Sequence, residues 1–326
     1  MNRALLLVLL LCGTATARTY ETAPPVKTKI QPPTKEWTAK IERLAPARPT
    51  AVPKATRRIL LFSLRTGYDH RVTPHVDEVV KVLSKKSGAF EVVQSNDIDM
   101  FSPERIMEFD AVILNNNCSK GRRRNLFLDV LDQRTKSKKP GTKYKDLTVE
   151  QRKERADELQ RSLLDYVASG KGLVCVHGGI TLLNNSPEFS DMIGGSFDFH
   201  PPLQRVTLDL VEPDHPMLAA FGGKGFVHVD EPYLFNGAYE KKNFRPLLVM
   251  DVGKLDEKAR ADSRVTGDVR YIAWIKKHGK GRVFYVGPSH QPESYETASM
   301  LRFYLDGIQY ALGDLICDDT MKENKP

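Results

Sequence analysis

Six short stretches of this 326-residue chain carry imidazoles, carboxylates, amides and phenols that could do chemistry. They are "RTGYDH" with Gly67, Tyr68 and His70; "NNNC" with Asn115, Asn116 and Asn117; "VHGG" with His177; "GGSFDFHPP" with His200; "DEPYLF" with Asp230, Glu231 and Tyr233; and "GPSHQPESY" with His290. Imidazole takes and gives a proton near neutral pH, so histidines beside a carboxylate suit general acid–base work. The same residue types form a ligand set for zinc or another divalent ion, with His177, His200, His290 and Glu231 as the candidates. They come from separate segments, so no local spacing such as H-x-x-x-H supports a metal. Singly, each stretch has a plainer reading. A histidine after a strand is often a hydrogen-bonded loop residue, asparagine runs satisfy turn backbone, and Gly194-Gly195 serves a turn. Convergence of several polar groups at one edge is what would make a site.

The stretch "GKGLVCVHGG", residues 170–179, is the sharpest of these. It reads as a buried strand running into a tight glycine turn, the setting in which many α/β enzymes raise a Ser or Cys nucleophile. Here His177 holds the raised position. Cys175 lies two residues back, inside the strand, and reads as an inert core thiol. Gly178 and Gly179 read as small so that the backbone can turn while leaving room for a substrate.

The elements around these stretches alternate. "RILLFSL" is a continuous apolar run, the mark of a strand covered on both faces. "TPHVDEVVKVLSKKSG" reads as a helix with Thr73 as N-cap, Pro74 at the first helical position, an apolar face of Val76, Val79, Val80 and Leu83, and a stop at Gly88. "FEVVQS" and "DAVILNNN" are strands on either side of a short Ser-Pro-started helix. A long helix follows, opened by a Thr148–Gln151 capping box and closed at Gly170. The second half is strand-rich: "RVTLDLV", "RPLLVMDV", and a hairpin turning at His278–Gly281. A final helix, about 297–312, packs through Leu301, Tyr304, Leu305 and Ile308. Alternating strands and helices predict one compact α/β domain over 58–315, a mostly parallel sheet with helices on both faces and additional C-terminal strands. Ligands of such sheets bind beyond the carboxyl ends of the strands, where "RTGYDH", "NNNC" and "VHGG" fall, with the other three stretches on loops that could reach the same rim. His215 in "DHP" reads as a structural turn residue, and His75 and His278 as surface residues.

Charge and composition divide the rest of the chain. Residues 1–17 have a basic start, an apolar run too short to span a bilayer and an Ala-Thr-Ala cleavage site, so they read as a signal peptide for export, periplasmic or extracellular. Leu11 before Cys12 is too large for a lipoprotein signal. Residues 18–57 form a Pro-rich basic arm with a short helix around "TKEWTAKIERL", which Trp37 and Ile41 could dock. Residues 119–146 form a basic insert, and 316–326 a tail. Segments 1–58 and 120–145 each carry a net charge of +8, against +8 for the whole chain, so the remaining body is acidic. An exported protein with an acidic body is a poor nucleic-acid binder. The insert reads as a solvated loop, or one that touches an anionic envelope or polysaccharide. The composition of arm and insert predicts that both are dispensable for folding. Three cysteines remain after cleavage, so a monomer keeps at least one free thiol, with a Cys118–Cys317 bridge left open. No G-x-G-x-x-G follows the first strand, and no nucleotide cofactor is expected.

"TGYDH", "GKGLVCVHGG", "GGSFDFHP", "DHP", "DEPYLF", "KGRVFYVGPSH" and "LRFYLDGIQYALG" stand in the order seen in the ThuA-like family, named for trehalose utilisation, which the chain resembles over about 58–315. The resemblance implies a flavodoxin-like doubly wound sheet, similar to class I glutamine amidotransferases but without their Cys at the elbow. The arm, the insert and "GPSH" in place of the more usual "LGH" depart from the family pattern. The resemblance further implies action on a carbohydrate-type small molecule, by isomerisation or elimination next to a carbonyl of a keto-sugar or oxidised glycoside. His177, His200, Glu231 and His290 would then be catalytic, and Gly67, Tyr68, His70, Asn115, Asn117 and Tyr233 would bind substrate. A divalent metal such as zinc would be compatible with that chemistry. The alternative is a non-catalytic carbohydrate- or envelope-binding module that keeps the cleft.

Overall fold

The computed structural model describes residues 30–120, 124–135 and 143–321. The signal-peptide reading and the start of the arm lie outside the described residues. Among the described residues eleven strands form: β1 Arg58–Phe62, β2 Glu91–Ser95, β3 Ala111–Asn115, β4 Gly172–Val176, β5 Ser196–Phe199, β6 Gln204–Leu210, β7 Phe226–Asp230, β8 Leu234–Asn236, β9 Arg245–Asp251, β10 Val269–His278 and β11 Gly281–Val286. The helices are α1 Lys35–Leu44, α2 Thr73–Ser87, α3 Pro103–Ile106, α4 Leu126–Thr135, α5 Val149–Ala168, α6 Pro187–Ile193, α7 Glu257–Arg260 and α8 Ala298–Ala311. Among the described residues, no helix is long and apolar enough to cross a membrane.

Nine strands make one sheet in the order β2-β1-β3-β4-β11-β10-β9-β6-β7. The first five are parallel and form the flavodoxin-like core; the last four are antiparallel additions. β5 and β8 pair separately. The apolar runs explain the centre: β3 and β4 are buried at every residue, as strands covered on both faces must be. Chain reversal at β1 sends α2 to one face and α3 and α5 to the other, as right-handed crossovers require. α8 joins α2 and crosses β11 so closely that a Cβ at Gly307 would lie 2.0 Å from the Phe284 ring.

Local signals hold with one shift. The Thr148–Gln151 capping box and the left-handed Gly88 cap are both present. Thr73, read as an N-cap, is instead the first residue of α2 behind Val72. His215 caps a short turn through its side chain and reaches the Asp318 carbonyl, the structural part expected of it. His75, read as a surface residue, is half-buried, with Trp37 edge-on at 4.7 Å.

The two appendages are better packed than their composition implies. Ile41 of α1 is fully buried in the core cluster. Beyond α1 the arm is fastened to α8: Thr50 N–H donates to Gln309 Oε1 over 2.8 Å, and Arg57 grips Asp314 with two bonds of 3.0 and 2.6 Å. Within the insert, α4 buries Leu126, Phe127, Val130 and Leu131. A short amphipathic segment docks on an existing core even where it could not build one, which corrects the expectation that arm and insert are dispensable.

Candidate functional site

β4 ends at Val176, and the next residue turns left-handed: His177 has φ +46°. Non-glycine residues seldom adopt this region, and His, Asn and Asp are the types enriched there. Gly178 and Gly179 are small for another reason. A Cβ on Gly178 would lie 2.8 Å from Cys118 Sγ and 3.0 Å from His70 Cε1, and one on Gly179 would lie 2.6 Å from the Leu114 carbonyl oxygen. The glycines admit neighbouring loops, and the unusual backbone falls on the histidine, which corrects the reading of a glycine turn that makes room for substrate.

Four side chains meet at this elbow. His70 comes from the segment between β1 and α2, His177 from the end of β4, Glu231 from the end of β7 and His290 from the segment after β11. One ligand atom from each lies within 4.8 Å of all the others. Glu231 Oε2 is 3.3 Å from His177 Nε2, 3.0 Å from His290 Nδ1 and 3.9 Å from His70 Nε2. His290 Nδ1 and His177 Nε2 are themselves 3.4 Å apart. Four N and O ligands at about 2.0–2.1 Å from a tetrahedral ion would sit roughly 3.3–3.4 Å from one another, so the spacings among His177, His290 and Glu231 are near those of a small divalent cation, while His70 stands wider, at 3.9 Å from Glu231.

The outward-facing nitrogens are fixed. His177 Nδ1–H donates to the Gly287 carbonyl over 2.8 Å, which turns Nε2 toward Glu231. His70 Nδ1 contacts Cys118 Sγ at 3.6 Å and turns its Nε2 toward the same centre. Anchoring one ring nitrogen so that the other faces inward is how proteins orient metal-binding imidazoles. Asp230 ties the loops together: Oδ1 accepts from Glu231 N–H over 2.8 Å, and Oδ2 from His290 N–H over 3.2 Å. His228 Nε2, 3.0 Å from Asp230 Oδ2, braces that carboxylate.

Burial sets the charges. It pushes the pKa of His70 down to about 4, so this ring is neutral at pH 7. Burial also works against charge on His177, but the Glu231 hydrogen bond and the nearby Asp230 outweigh it and the pKa rises. Burial opposes ionisation of Glu231 as well, yet bonds from His177, His290 and His70 hold its carboxyl well below the usual carboxylate range. An ionised carboxylate and several facing lone pairs need a positive charge between them, either shared protons or a metal ion.

The cluster opens on a cavity of about 870 Å³ whose lining includes Tyr68, His70, His200, Glu231 and Tyr233. His200 stands at its mouth, a third exposed, with Nε2 3.6 Å from Glu231 Oε1. The four-atom set contains His70, expected at the substrate, where the sequence reading had placed His200. Tyr233 lies against His177 with ring centroids 4.2 Å apart, and Tyr68 packs edge-on to His70. Three expected substrate contacts lie elsewhere. The fully buried Asn115 donates to Ser63, the Thr73 carbonyl and Asp77, because its side chain points toward α2. Asn117 donates to the Phe62 and Leu64 carbonyls. Gly67 lies against the Ser119 carbonyl, where a Cβ would come within 2.3 Å.

Sequence reasoning passed over several neighbours. Cys118, left open as a disulfide partner, is a free buried thiol on the cavity wall, its pKa pushed up to about 11 by burial. Its place directly after the asparagine run was the available signal. Asp230, beside Glu231, and His228 two residues before it went unassigned. Thr181, Ser119 and Arg124 also line the cavity, the last two from a segment read as solvated.

The family described as trehalose utilisation, ThuA, matches residues 58–311. Among solved structures, a ThuA-like protein of Bacteroides uniformis ATCC 8492 is 17% identical with a TM-score of 0.55, over 81% of this chain and 94% of that one. A ThuA-like protein of Parabacteroides merdae ATCC 43184 is 16% identical with a TM-score of 0.53, over 83% and 94%. A cytoplasmic protein of Salmonella typhimurium LT2 is 13% identical with a TM-score of 0.50, over 78% and 99%. At such identities the likeness is one of fold. No curated protein matches the chain.

Proposed function

Because the chain belongs to the ThuA family, described as trehalose utilisation, we propose that it acts on a carbohydrate by proton transfer beside a divalent metal site made of His70, His177, Glu231 and His290. The observation that carries this reading is the meeting of three imidazoles and one ionised carboxylate at the elbow, drawn from four separate loops. An ion held there would polarise a sugar carbonyl or hydroxyl.

The chain's own residues supply the rest. His200 Nδ1 lies 2.9 Å from the Pro201 carbonyl; donating its N–H there leaves Nε2 as a base directed at the cavity. A base so placed removes a proton from carbon next to a carbonyl, the step shared by isomerisation and elimination of a keto-sugar or oxidised glycoside. Tyr233 and Phe197, 4.6 Å apart, offer an aromatic wall on which an apolar sugar face can lie. Export through the leader remains part of the proposal, and N-terminal sequencing of the mature protein tests it.

The test is hydrogen exchange. Protein dialysed against chelator and reloaded with zinc, manganese or cobalt is incubated with a keto-glycoside in heavy water, and deuterium next to the carbonyl is followed by NMR. Exchange that requires metal and fails in His200→Gln supports the proposal. Tight sugar binding with no exchange under any metal would make the protein a binding module instead.

A further inference from the structure

The histidine cluster is reached from two sides. His70 and Glu231 line the cavity described above, while His290 lines a second one, of about 690 Å³. Tyr68 borders both. Its ring lies edge-on to His70 at 4.6 Å and stacks on His290 at 6.4 Å, so one exposed phenol stands where the two cavities adjoin, beside the cluster.

Ten large apolar side chains are exposed among the described residues, and four of them, Tyr68, Leu203, Val227 and Val229, line this second cavity at 43% to 62% exposure. Scattered exposed apolar groups are ordinary, whereas a concave set of them marks a binding surface. The two valines belong to β7, the last strand of the sheet, opposite Thr207 and Arg205 of β6, and their two-residue spacing puts both on one face. One polar group stands out. Gln291 follows His290 in the chain, lines the cavity and is only 9% exposed, and its Oε1 has no hydrogen-bond partner among the described residues. Buried amide oxygens are seldom left so. A ligand bringing a hydroxyl or an N–H would satisfy it.

We propose that this cavity is a second binding subsite, that the molecule acted on is a glycoside and not a free sugar, and that its aglycone is an apolar ring. The inference rests on the carbohydrate reading above and deepens it. The sugar lies on the Phe197 and Tyr233 wall of the first cavity, and the aglycone passes Tyr68 to reach Leu203, Val227 and Val229. A second sugar is the poorer occupant, because its hydroxyls would face hydrocarbon and lose their partners in water. An aromatic ring gains from burial against the same side chains and from the Tyr68 ring.

Calorimetric titration of the purified full chain with the phenyl and methyl D-glucosides, in both anomers, and with maltose and cellobiose tests this. One phenyl glucoside should bind at least roughly tenfold more tightly than its methyl counterpart and than either disaccharide. NMR of methyl-labelled valines locates the ring: the Val227 and Val229 signals should move with the phenyl glucoside and stay in place with the methyl one. A double variant, Val227→Thr with Val229→Thr, keeps residues suited to a strand and should hold its melting temperature, while the phenyl preference shrinks to about threefold or less. Equal binding of phenyl and methyl glucosides, a disaccharide bound more tightly than either phenyl glucoside, or an unaltered preference in the double variant overturns the assignment. So does a dimer in sedimentation whose dissociation moves both valine signals, because a second copy would then cover the patch. The two proposals fail separately. Deuterium exchange without a phenyl preference removes the subsite alone, a phenyl preference without exchange removes the catalytic reading alone, and a chain that binds none of these glycosides loses both.

Discussion

The carbonyl of Gly287 receives the Nδ1–H of His177 at 2.8 Å, and this bond between β11 and the elbow decides which nitrogen faces Glu231. The fully buried imidazole is thus held by its backbone, by Gly287 and by Glu231.

Replacing His177 with Asn is the informative change, because Asn also accepts the left-handed backbone. The variant is expected to fold with a loss of about 1–3 kcal/mol, the cost of disturbing a buried hydrogen bond. That is larger than a site outside the core would predict. Turnover, read by deuterium exchange, should fall by about 10² or more. Normal exchange in this variant would remove His177 from the chemistry.

Glu231→Gln removes the only charge that a bound cation would meet in the cluster. Divalent-ion affinity, measured by calorimetry, should weaken by at least about 10². In wild type, binding should release protons, because the ion must displace those shared between Glu231 and the imidazole nitrogens that face it. Affinity should therefore rise with pH and fall on acidification. Pressed the other way, a pH-independent affinity with no proton release would show that the ion binds elsewhere.

Ile41→Ala tests the docked arm. Emptying a fully buried position should cost about 2–5 kcal/mol. A shift in the urea midpoint smaller than one expects of an exposed site would mean that the arm lifts off in solution.

Asp306 supplies a pH-dependent check. Burial raises its pKa to about 6, while the Thr50 hydroxyl at 2.5 Å acts against that rise. Because the folded value is above the unfolded one, the native state binds the extra proton between about pH 6 and pH 4. This group's contribution to stability therefore grows as pH falls through that window and is lost above it. Asp306→Asn should stabilise the protein at pH 7 by about 1–2 kcal/mol and give little gain at pH 4. Equal effects at both values would show that Asp306 does not titrate differently in the fold.

What could be read from the chain follows from what each residue answers to. The core strands answer to local apolar runs, so β1, β3 and β4 and the Thr148 capping box were visible directly. His177 and His290 were visible as polar groups that follow strands, because strand ends of a parallel sheet share one edge, whereas Glu231 was visible only as a carboxylate on a loop that could reach that edge. Side-chain direction was not visible. Asn115 closes β3 yet points toward α2, whereas Cys118, three residues on, reaches the cavity. Period and composition say nothing about that choice. They misled in the insert, where charge density hid the buried Phe127 and the cavity-facing Arg124.

The place of β11 in the sheet has a consequence for how the molecule comes into being. This strand is the last to be made and lies between β4 and β10, near the middle of the sheet. A chain emerging from the ribosome can pair β1 to β4, but it must hold open the edge of β4 until residues 281–286 arrive. Pairings so distant in sequence form late and slowly. Until they do, Gly287 cannot accept from His177 and His290 cannot approach Glu231, so the elbow has its imidazole before it has anything to orient it. A chain stopped short of residue 281 would therefore lack the middle of its sheet, and a partly folded chain could not display a working site.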